Sequence, residues 1–399
     1  MLPIARANGV FLYDSDGNRY IDAISSWYTA VYGHCHPVIT GRVAKQMQRL
    51  DQVVFSGFTH EPAVQLAEEL CQLLPEGQQK VFFSDNGSTS VEVALKIALQ
   101  YHFNLGRRRP VLLAFEEGFH GDTFGAMSVS GLSVYNGPFG DFSLDVKRIP
   151  VPREAHPVEI LTQLEALLRQ NEIAAFIYEP LVQGAAAMKT HPAEGLDAIL
   201  GRLRQHGVLL IADEVMTGFG KTGTHFASSQ LRQQPDLICL SKALTAGLLP
   251  MGVTTCTREI FDAFCSDETA KGFFHGHTYT ANPLACTAAL AGLELLRSDD
   301  MQQGIQHISG AHAAFRKRIE SHPALDESRQ CGVILALDLK TRADRYGDFR
   351  DRMYRFFMDK GIYLRPLGNT IYILPPYVIS KEQLELVYNG LEAALDFVT

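Results

Sequence analysis

The segment Asp236–Gly247, "DLICLSKALTAG", closes an apolar run on a lysine. An ammonium taken out of water costs several kcal/mol unless it is paired, neutralised or used covalently, so Lys242 needs a chemical reason. On both sides of it, short apolar runs alternate with helix-period stretches, the pattern of a layered α/β fold with a mainly parallel sheet between helices. "KVFFS", "VLLAF", "VKRIPV", "AAFIYEP", "GVLLIADE", "DLICLSK" and "GVTTCT" read as its strands, and "SVEVALKIALQYH" and "LDAILGRLRQHG" as covering helices. After Leu296 the texture changes to a long helix, a strand "VILALDL", a helix "FRDRMYRFFMDKG" and a strand pair around "YLRPLGNTIYILPP", which reads as a smaller α+β domain. The opening "GVFLYDSDGNRYIDA" reads as a hairpin turning at Asp16-Gly17-Asn18 and joining that lobe. The expected organisation is residues 1–44 and 297–399 in the small domain and 45–296 in the large one.

Composition narrows the function. With 36 basic against 44 acidic side chains the net charge is −8, which argues against nucleic acid or an anionic membrane as partner and for small-molecule substrates. The 7 cysteines are scattered without a CxxC pair, as in a reduced cytosolic chain. No stretch approaches about 20 uninterrupted apolar residues, and "MLPIARANGV" lacks the layout of a signal peptide. The expected location is the cytoplasm.

Strand ends of an open parallel sheet converge on the crevice where ligands sit. Here they carry Asp213 and Glu214 after "GVLLIA", Lys242 after "DLICLS", and the turn Asn86-Gly87-Ser88-Thr89 after "VFFSD". The last resembles an anion cradle, because a glycine admits close approach and a helix start presents unpaired N–H donors. Alone it reads equally well as a capped helix start. Taken together, an amine, a carboxylate and a phosphate cradle are what pyridoxal phosphate requires: a lysine for its Schiff base and an acid for its pyridinium nitrogen. A partly buried lysine is easier to keep neutral, and only the neutral amine attacks an aldehyde.

Two rivals are weaker. "VMTGFGKTG" contains Gly220-Lys221-Thr222, the tail of a nucleotide-hydrolase phosphate loop, but Val215 stands where the first glycine belongs and no strand–loop–helix follows. The histidines of "YGHCHP" and "FFHGHT" lack helical spacing or companion ligands, so no metal is expected.

"IADEVMTGFGKTG" followed by "PDLICLSKALTAGLLPMG" resembles the class III, fold-type-I pyridoxal-phosphate aminotransferases, and the resemblance runs nearly end to end. Within the class, "DAISSWYTAVYGHCHP", "FSGFTHEPAVQLAEEL", "GFHGDTFGAMSVSG", "EPLVQGAAAM", "HGHTYTANPLAC" and "LRPLGNTIYILPPYVIS" are similar to members that aminate 8-amino-7-oxononanoate to 7,8-diaminononanoate in biotin biosynthesis, with adenosylmethionine as the usual amino donor and lysine as a variation. The resemblance implies that Lys242 holds the coenzyme and shuttles the proton, Asp213 pairs with the ring nitrogen, Gly87 and Ser88 bind the phosphate, Gln183 lies near the ring hydroxyl and Phe119 stacks on the ring. It also implies a homodimer with shared active sites, in which Thr278 and the backbone of His277 reach the neighbouring subunit's phosphate and Gly276 borders substrate. Trp27 would wall the pocket and Arg365 would clamp the remote carboxylate. The family pattern has tyrosine at Phe119, tryptophan at Tyr28, proline at His277 and an aromatic segment before the first hairpin, differences that bear on the donor. Another ω-amino acid or diamine transaminase is the nearest alternative, with a mutase, a decarboxylase or a non-catalytic coenzyme binder beyond it.

Overall fold

The computed structural model describes residues 1–131, 136–341, 343 and 347–398. Its centre is a seven-stranded sheet in the spatial order Gln78–Ser84, Gly252–Thr257, Leu237–Leu240, Leu209–Asp213, Ile173–Tyr178, Val111–Phe115, Val146–Ile149. These are the seven runs expected from the sequence. Gly252–Thr257 runs antiparallel to both neighbours and the other pairings are parallel. The inner strands are apolar without interruption because both faces are covered. Alternation sorts their side chains: Leu209, Ile211, Leu237 and Cys239 pack with Val91, Ala94 and Leu95 of the helix Gly87–Asn104, while Leu210, Ala212, Ile238 and Leu240 pack with Leu196, Ile199 and Leu203 of the helix Ala193–Gln205.

Among the described residues three smaller sheets accompany this one, the smallest being the pair Val182–Gln183 with Lys189–Thr190. Ile4–Asn8, Phe11–Asp14 and Arg19–Asp22 form an antiparallel meander, whose turn is closed by Asp14 Oδ1 accepting from the N–H groups of Asp16 and Asn18. Gly17 in that turn has φ +89°, where a side chain would be strained. Ile362–Tyr363 adds to this meander in parallel, so the two ends of the chain share a sheet. Thr370–Ile373 instead joins Leu325–Cys331 and Ile334–Leu339. The expected strand pair in "YLRPLGNTIYILPP" is thus split between two sheets, and a Leu367–Thr370 bridge closes the turn before the second strand. The segment between them, which carries Arg365, faces the crevice at the strand ends.

Gly252 fixes the distance between the central sheet and the start of the helix Gly87–Asn104. A methyl group on it would lie 2.2 Å from the Asn86 carbonyl oxygen and 2.5 Å from Ser84 Oγ. Backbone cannot yield there as a flexible side chain can. Gly252→Ala is therefore expected to lower stability by about 1–3 kcal/mol, the usual range for overpacking, read as a lower Tm and denaturation midpoint. An unchanged midpoint would contradict this close approach.

Candidate active site

A cavity of about 990 Å³ opens at the carboxyl ends of the parallel strands. Of the residues singled out in the sequence, Lys242, Asp213, Gly87, Ser88, Phe119, Trp27 and Arg365 all line it. Strand geometry explains the convergence, since Asp213 is the last residue of its strand and Lys242 stands two residues beyond the end of the adjacent one.

The carboxylate of Asp213 is held on both oxygens. Its Oδ1 accepts from the Val215 N–H at 3.0 Å and its Oδ2 contacts His120 Nδ1 at 2.7 Å. His120 is itself buried and its backbone N–H donates to Ser130 Oγ, so Asp213 has little freedom to turn. Neither His120 nor Glu179 stood out from sequence. Glu179 accepts from the N–H groups of Phe119 and Gly184, at 3.1 and 2.9 Å, and so ties the aromatic loop to the strand end. Burial, reinforced by Asp213 and opposed chiefly by His120, holds its carboxyl up at about 7. Desolvation pulls the Lys242 amine below its ordinary value, against the pull of Asp213 and Glu179. Its backbone sits at φ +48°, left-handed for a residue with a side chain, and its Nζ lies 5.3 Å from the centre of the Tyr28 ring.

The helix start below Lys242 is closed by a reciprocal cap, Asn86 Oδ1 accepting from the Thr89 N–H and Thr89 Oγ1 accepting from the Asn86 N–H. The Ser90 N–H is taken by the Asn86 carbonyl, which leaves the amides of Gly87 and Ser88 as the open donors of the first turn. Ser88 Oγ accepts from the Asp122 N–H at 3.2 Å and keeps its own proton for a ligand. A Cβ on Gly87 would come within 2.9 Å of Val215, so only glycine leaves the approach open. Gln183 is fully buried beside the lining residue Gly184, and neither the nitrogen nor the oxygen of its amide has a partner among the described residues. An amine, a fixed carboxylate, a pair of open amides and an orphaned buried amide are the donor set that pyridoxal phosphate needs.

Trp27 and Tyr28 reach the cavity from an unusual turn. Ser25, Ser26, Trp27 and Tyr28 have φ of +49°, +45°, +66° and +74°, one turn of left-handed helix closed by Tyr28 N–H to Ile24 O and Thr29 N–H to Ser25 O. Each such residue costs about 1–2 kcal/mol, so the turn persists only where neighbours hold it. Tyr28 Oη donates to Tyr372 Oη at 2.9 Å, and the Arg365 guanidinium lies 5.1 Å from the centre of the Trp27 ring. Arg350, also unforeseen, lines the same space with its guanidinium on Asp351.

Gly276, His277 and Thr278 do not line the cavity. They lie on a surface loop, where the Thr278 carbonyl accepts from Gln52 and His277 Nδ1 stands 4.0 Å from Asp85. Lys221 lies elsewhere too, fully buried with its amine donating to the Gly218 carbonyl at 2.8 Å, so "GKT" presents nothing to a nucleotide.

Comparison with known proteins fits this arrangement. The family described as aminotransferase class III matches residues 1–395. The chain is 45% identical to the adenosylmethionine-8-amino-7-oxononanoate aminotransferase of Synechococcus elongatus, across 99% of this chain and 95% of that protein. It is 35% identical to the enzyme of that name from Helicobacter pylori, across 99% and 92%. Among solved structures, it is similar to that of the same name from Methanocaldococcus jannaschii, with a TM-score of 0.94 and 30% identity over 100% of this chain and 93% of that one. A PLP-bound amine transaminase from an uncultivated Pseudomonas species aligns at a TM-score of 0.92 and 32% identity, over 100% and 95%.

A carboxyl raised by burial binds its proton more tightly in the folded state than in the unfolded one. Below the unfolded value near 4.5 Glu179 therefore carries no penalty, and as pH rises from there through about 7 its ionisation subtracts stability. Glu179→Gln is expected to flatten that part of the coenzyme-free protein's stability profile over this interval, measured by denaturant unfolding at stepped pH. Superimposable profiles for the two proteins would show that the buried carboxyl does not titrate there.

Proposed function

The chain belongs to the class III aminotransferase family, and on that premise we propose that it aminates 8-amino-7-oxononanoate to 7,8-diaminononanoate in biotin biosynthesis, with adenosylmethionine as amino donor. It is a pyridoxal-phosphate-dependent transaminase. The observation that carries the substrate reading is the polarity of the cavity: the Lys242 amine lies with Asp213 and Glu179 at the strand ends, while Trp27 and the exposed guanidinium of Arg365 stand at the rim. A ligand with an apolar chain between an amine end and a carboxylate end suits that layout.

Bound pyridoxal phosphate supplies the electron sink for breaking the bond to hydrogen at the amine-bearing carbon and carries the amino group between the two substrates. The chain's own residues do the rest. Lys242, desolvated and so more readily neutral, takes the proton from that carbon as base and returns one as acid. Asp213, locked by His120 and Val215, keeps a proton on the ring nitrogen. The amides of Gly87 and Ser88 hold the phosphate, Gln183 offers its free amide to the ring hydroxyl, and Phe119 covers the ring. Arg365 orients the substrate through its far carboxylate, which holds the reacting carbon near Lys242.

The loop of Gly276, His277 and Thr278 is assigned to the neighbour's site in a homodimer. In support, the loop is largely exposed and is flanked by the exposed rings of Phe274 and Tyr279. Among the described residues no helix is long and apolar enough to cross a membrane.

The reading is tested by incubating the reconstituted protein with 8-amino-7-oxononanoate and either adenosylmethionine or lysine, with the diamine product read by mass spectrometry. Product with one donor is expected, and none with either would overturn the assignment. Borohydride reduction followed by peptide mapping should place the coenzyme on Lys242, and Lys242→Ala should abolish both the label and turnover. Arg365→Ala is expected to raise KM for the oxononanoate about 10- to 100-fold, from the ~1.5–3 kcal/mol of a charge-assisted pair, with a smaller effect on the donor. Equal effects on both substrates would remove its role as carboxylate clamp.

A further inference from the structure

We propose that His34 is a positioning residue for the substrate wall: through Asp22 it holds the left-handed turn Ser25–Tyr28 in the form that presents Trp27 and Tyr28 to the cavity. The inference rests on the reading above in one respect, that Trp27 faces the substrate's apolar chain.

The turn cannot hold itself, because four consecutive residues with side chains occupy left-handed backbone. What holds it is a fully buried carboxylate at the end of the strand Arg19–Asp22. Asp22 Oδ1 accepts from the Ile24 N–H at 3.3 Å, and its Oδ2 accepts from Ser26 Oγ and from His34 Nε2, both at 2.8 Å. One oxygen thus ties the second residue of the turn to a side chain eight positions further along. His34 is fixed in turn by its backbone, which exchanges both hydrogen bonds with Gly9, at 3.1 and 2.8 Å. A second anchor, Ser25 Oγ donating to the Leu374 carbonyl at 2.7 Å, holds the start of the turn, and Thr29 Oγ1 donates to the Ser26 carbonyl at 3.0 Å within it, but the Ser26 side chain is held by Asp22.

The serine, histidine and aspartate do not form a hydrolytic triad. Both Ser26 and His34 direct their hydrogens at the same carboxylate oxygen, and Ser26 Oγ stands 3.5 Å from His34 Nε2, so the ring is not placed to activate the hydroxyl. The arrangement restrains backbone instead. Removing the imidazole leaves a buried carboxylate short of a donor, and the strained turn is then free to relax toward right-handed backbone. Trp27 leaves the wall and Arg365 loses the ring beneath it.

Trp27 is the only tryptophan of the 399 residues, so its emission reports this turn and nothing else. In the holoenzyme, His34→Ala is expected to add a fast local component to the time-resolved anisotropy decay of Trp27. It is also expected to raise KM for 8-amino-7-oxononanoate about fivefold or more with kcat within about twofold, the pattern of lost substrate positioning. Coenzyme attachment at Lys242 should be unchanged. His34→Gln, whose amide N–H can still donate to Asp22, should return both signals toward the wild type. Wild-type anisotropy and KM in His34→Ala, or equal losses in the two variants, would overturn the inference. Should His34→Ala not fold, Ser26→Ala removes the turn's own donor and should free Trp27 in the same way, and an unaltered decay there would equally refute it. Failure of the wild type to aminate the oxononanoate would sink the substrate reading alone, since the anisotropy comparison still decides this one.

Discussion

The site depends on keeping an amine and two carboxyl groups out of water at the ends of a buried sheet. Left unpaired, each charge would be expensive. Together they trade: desolvation pushes the Lys242 amine toward neutrality and Glu179 toward its protonated form, while Asp213 and Glu179 pull the amine back toward charge. The sheet makes this possible, because parallel strands place several carboxyl ends side by side and surround them with apolar packing on both faces. Asp213 is held in place by contacts on both oxygens, from the Val215 N–H on one and from His120 on the other.

Strain gathers at the same place. Lys242 and the residues Ser25 to Tyr28 all occupy left-handed backbone, and Lys242, Trp27 and Tyr28 line the cavity. In each case a hydrogen-bonded frame stands behind the strain. Ser241 Oγ donates to the Met251 carbonyl just before Lys242, and Asp22 stands beneath the turn of Trp27. Relaxed backbone would point these side chains into the protein, so the strain is spent on orientation.

The fold was largely legible in the sequence because the sheet is buried on both faces, and doubly buried strands write themselves as unbroken apolar runs. The strand Leu325–Cys331 was not, since it is the edge of its small sheet and its "LDESRQC" carries the charges that edges use against mispairing. The split of Ile362–Tyr363 from Thr370–Ile373 was hidden for another reason: the first pairs with Ile21 and Asp22 near the start of the chain and the second with Leu335–Asp338, and neither partner leaves a local mark. In the site, residues carried by motifs such as Lys242, Asp213 and Gly87 were visible. His120, Glu179, Arg350 and the Asp22–His34 contact were not, because their roles come from distance in space and their residue types are ordinary in loops.

One cavity must serve two substrates in turn, which divides its walls into fixed and accommodating parts. The strand ends are fixed: Asp213 and Glu179 are held there by hydrogen bonds, and on the proposed reading these side chains and Lys242 act on coenzyme and reacting carbon, which are common to both halves of the exchange. The rim meets the parts that differ. There the protein places side chains that offer more than one kind of contact, with Trp27 giving a flat apolar face, Arg365 a charge that rests on that face beside Tyr363, and Tyr28 a ring whose hydroxyl is satisfied by Tyr372. An arginine stacked on an aromatic ring is held near its working position yet remains free to meet an anion, because the stack uses its face and leaves the N–H edges open. On the proposed reading, that is how a single exposed cation would receive a carboxylate in one half-reaction and stay held in place in the other.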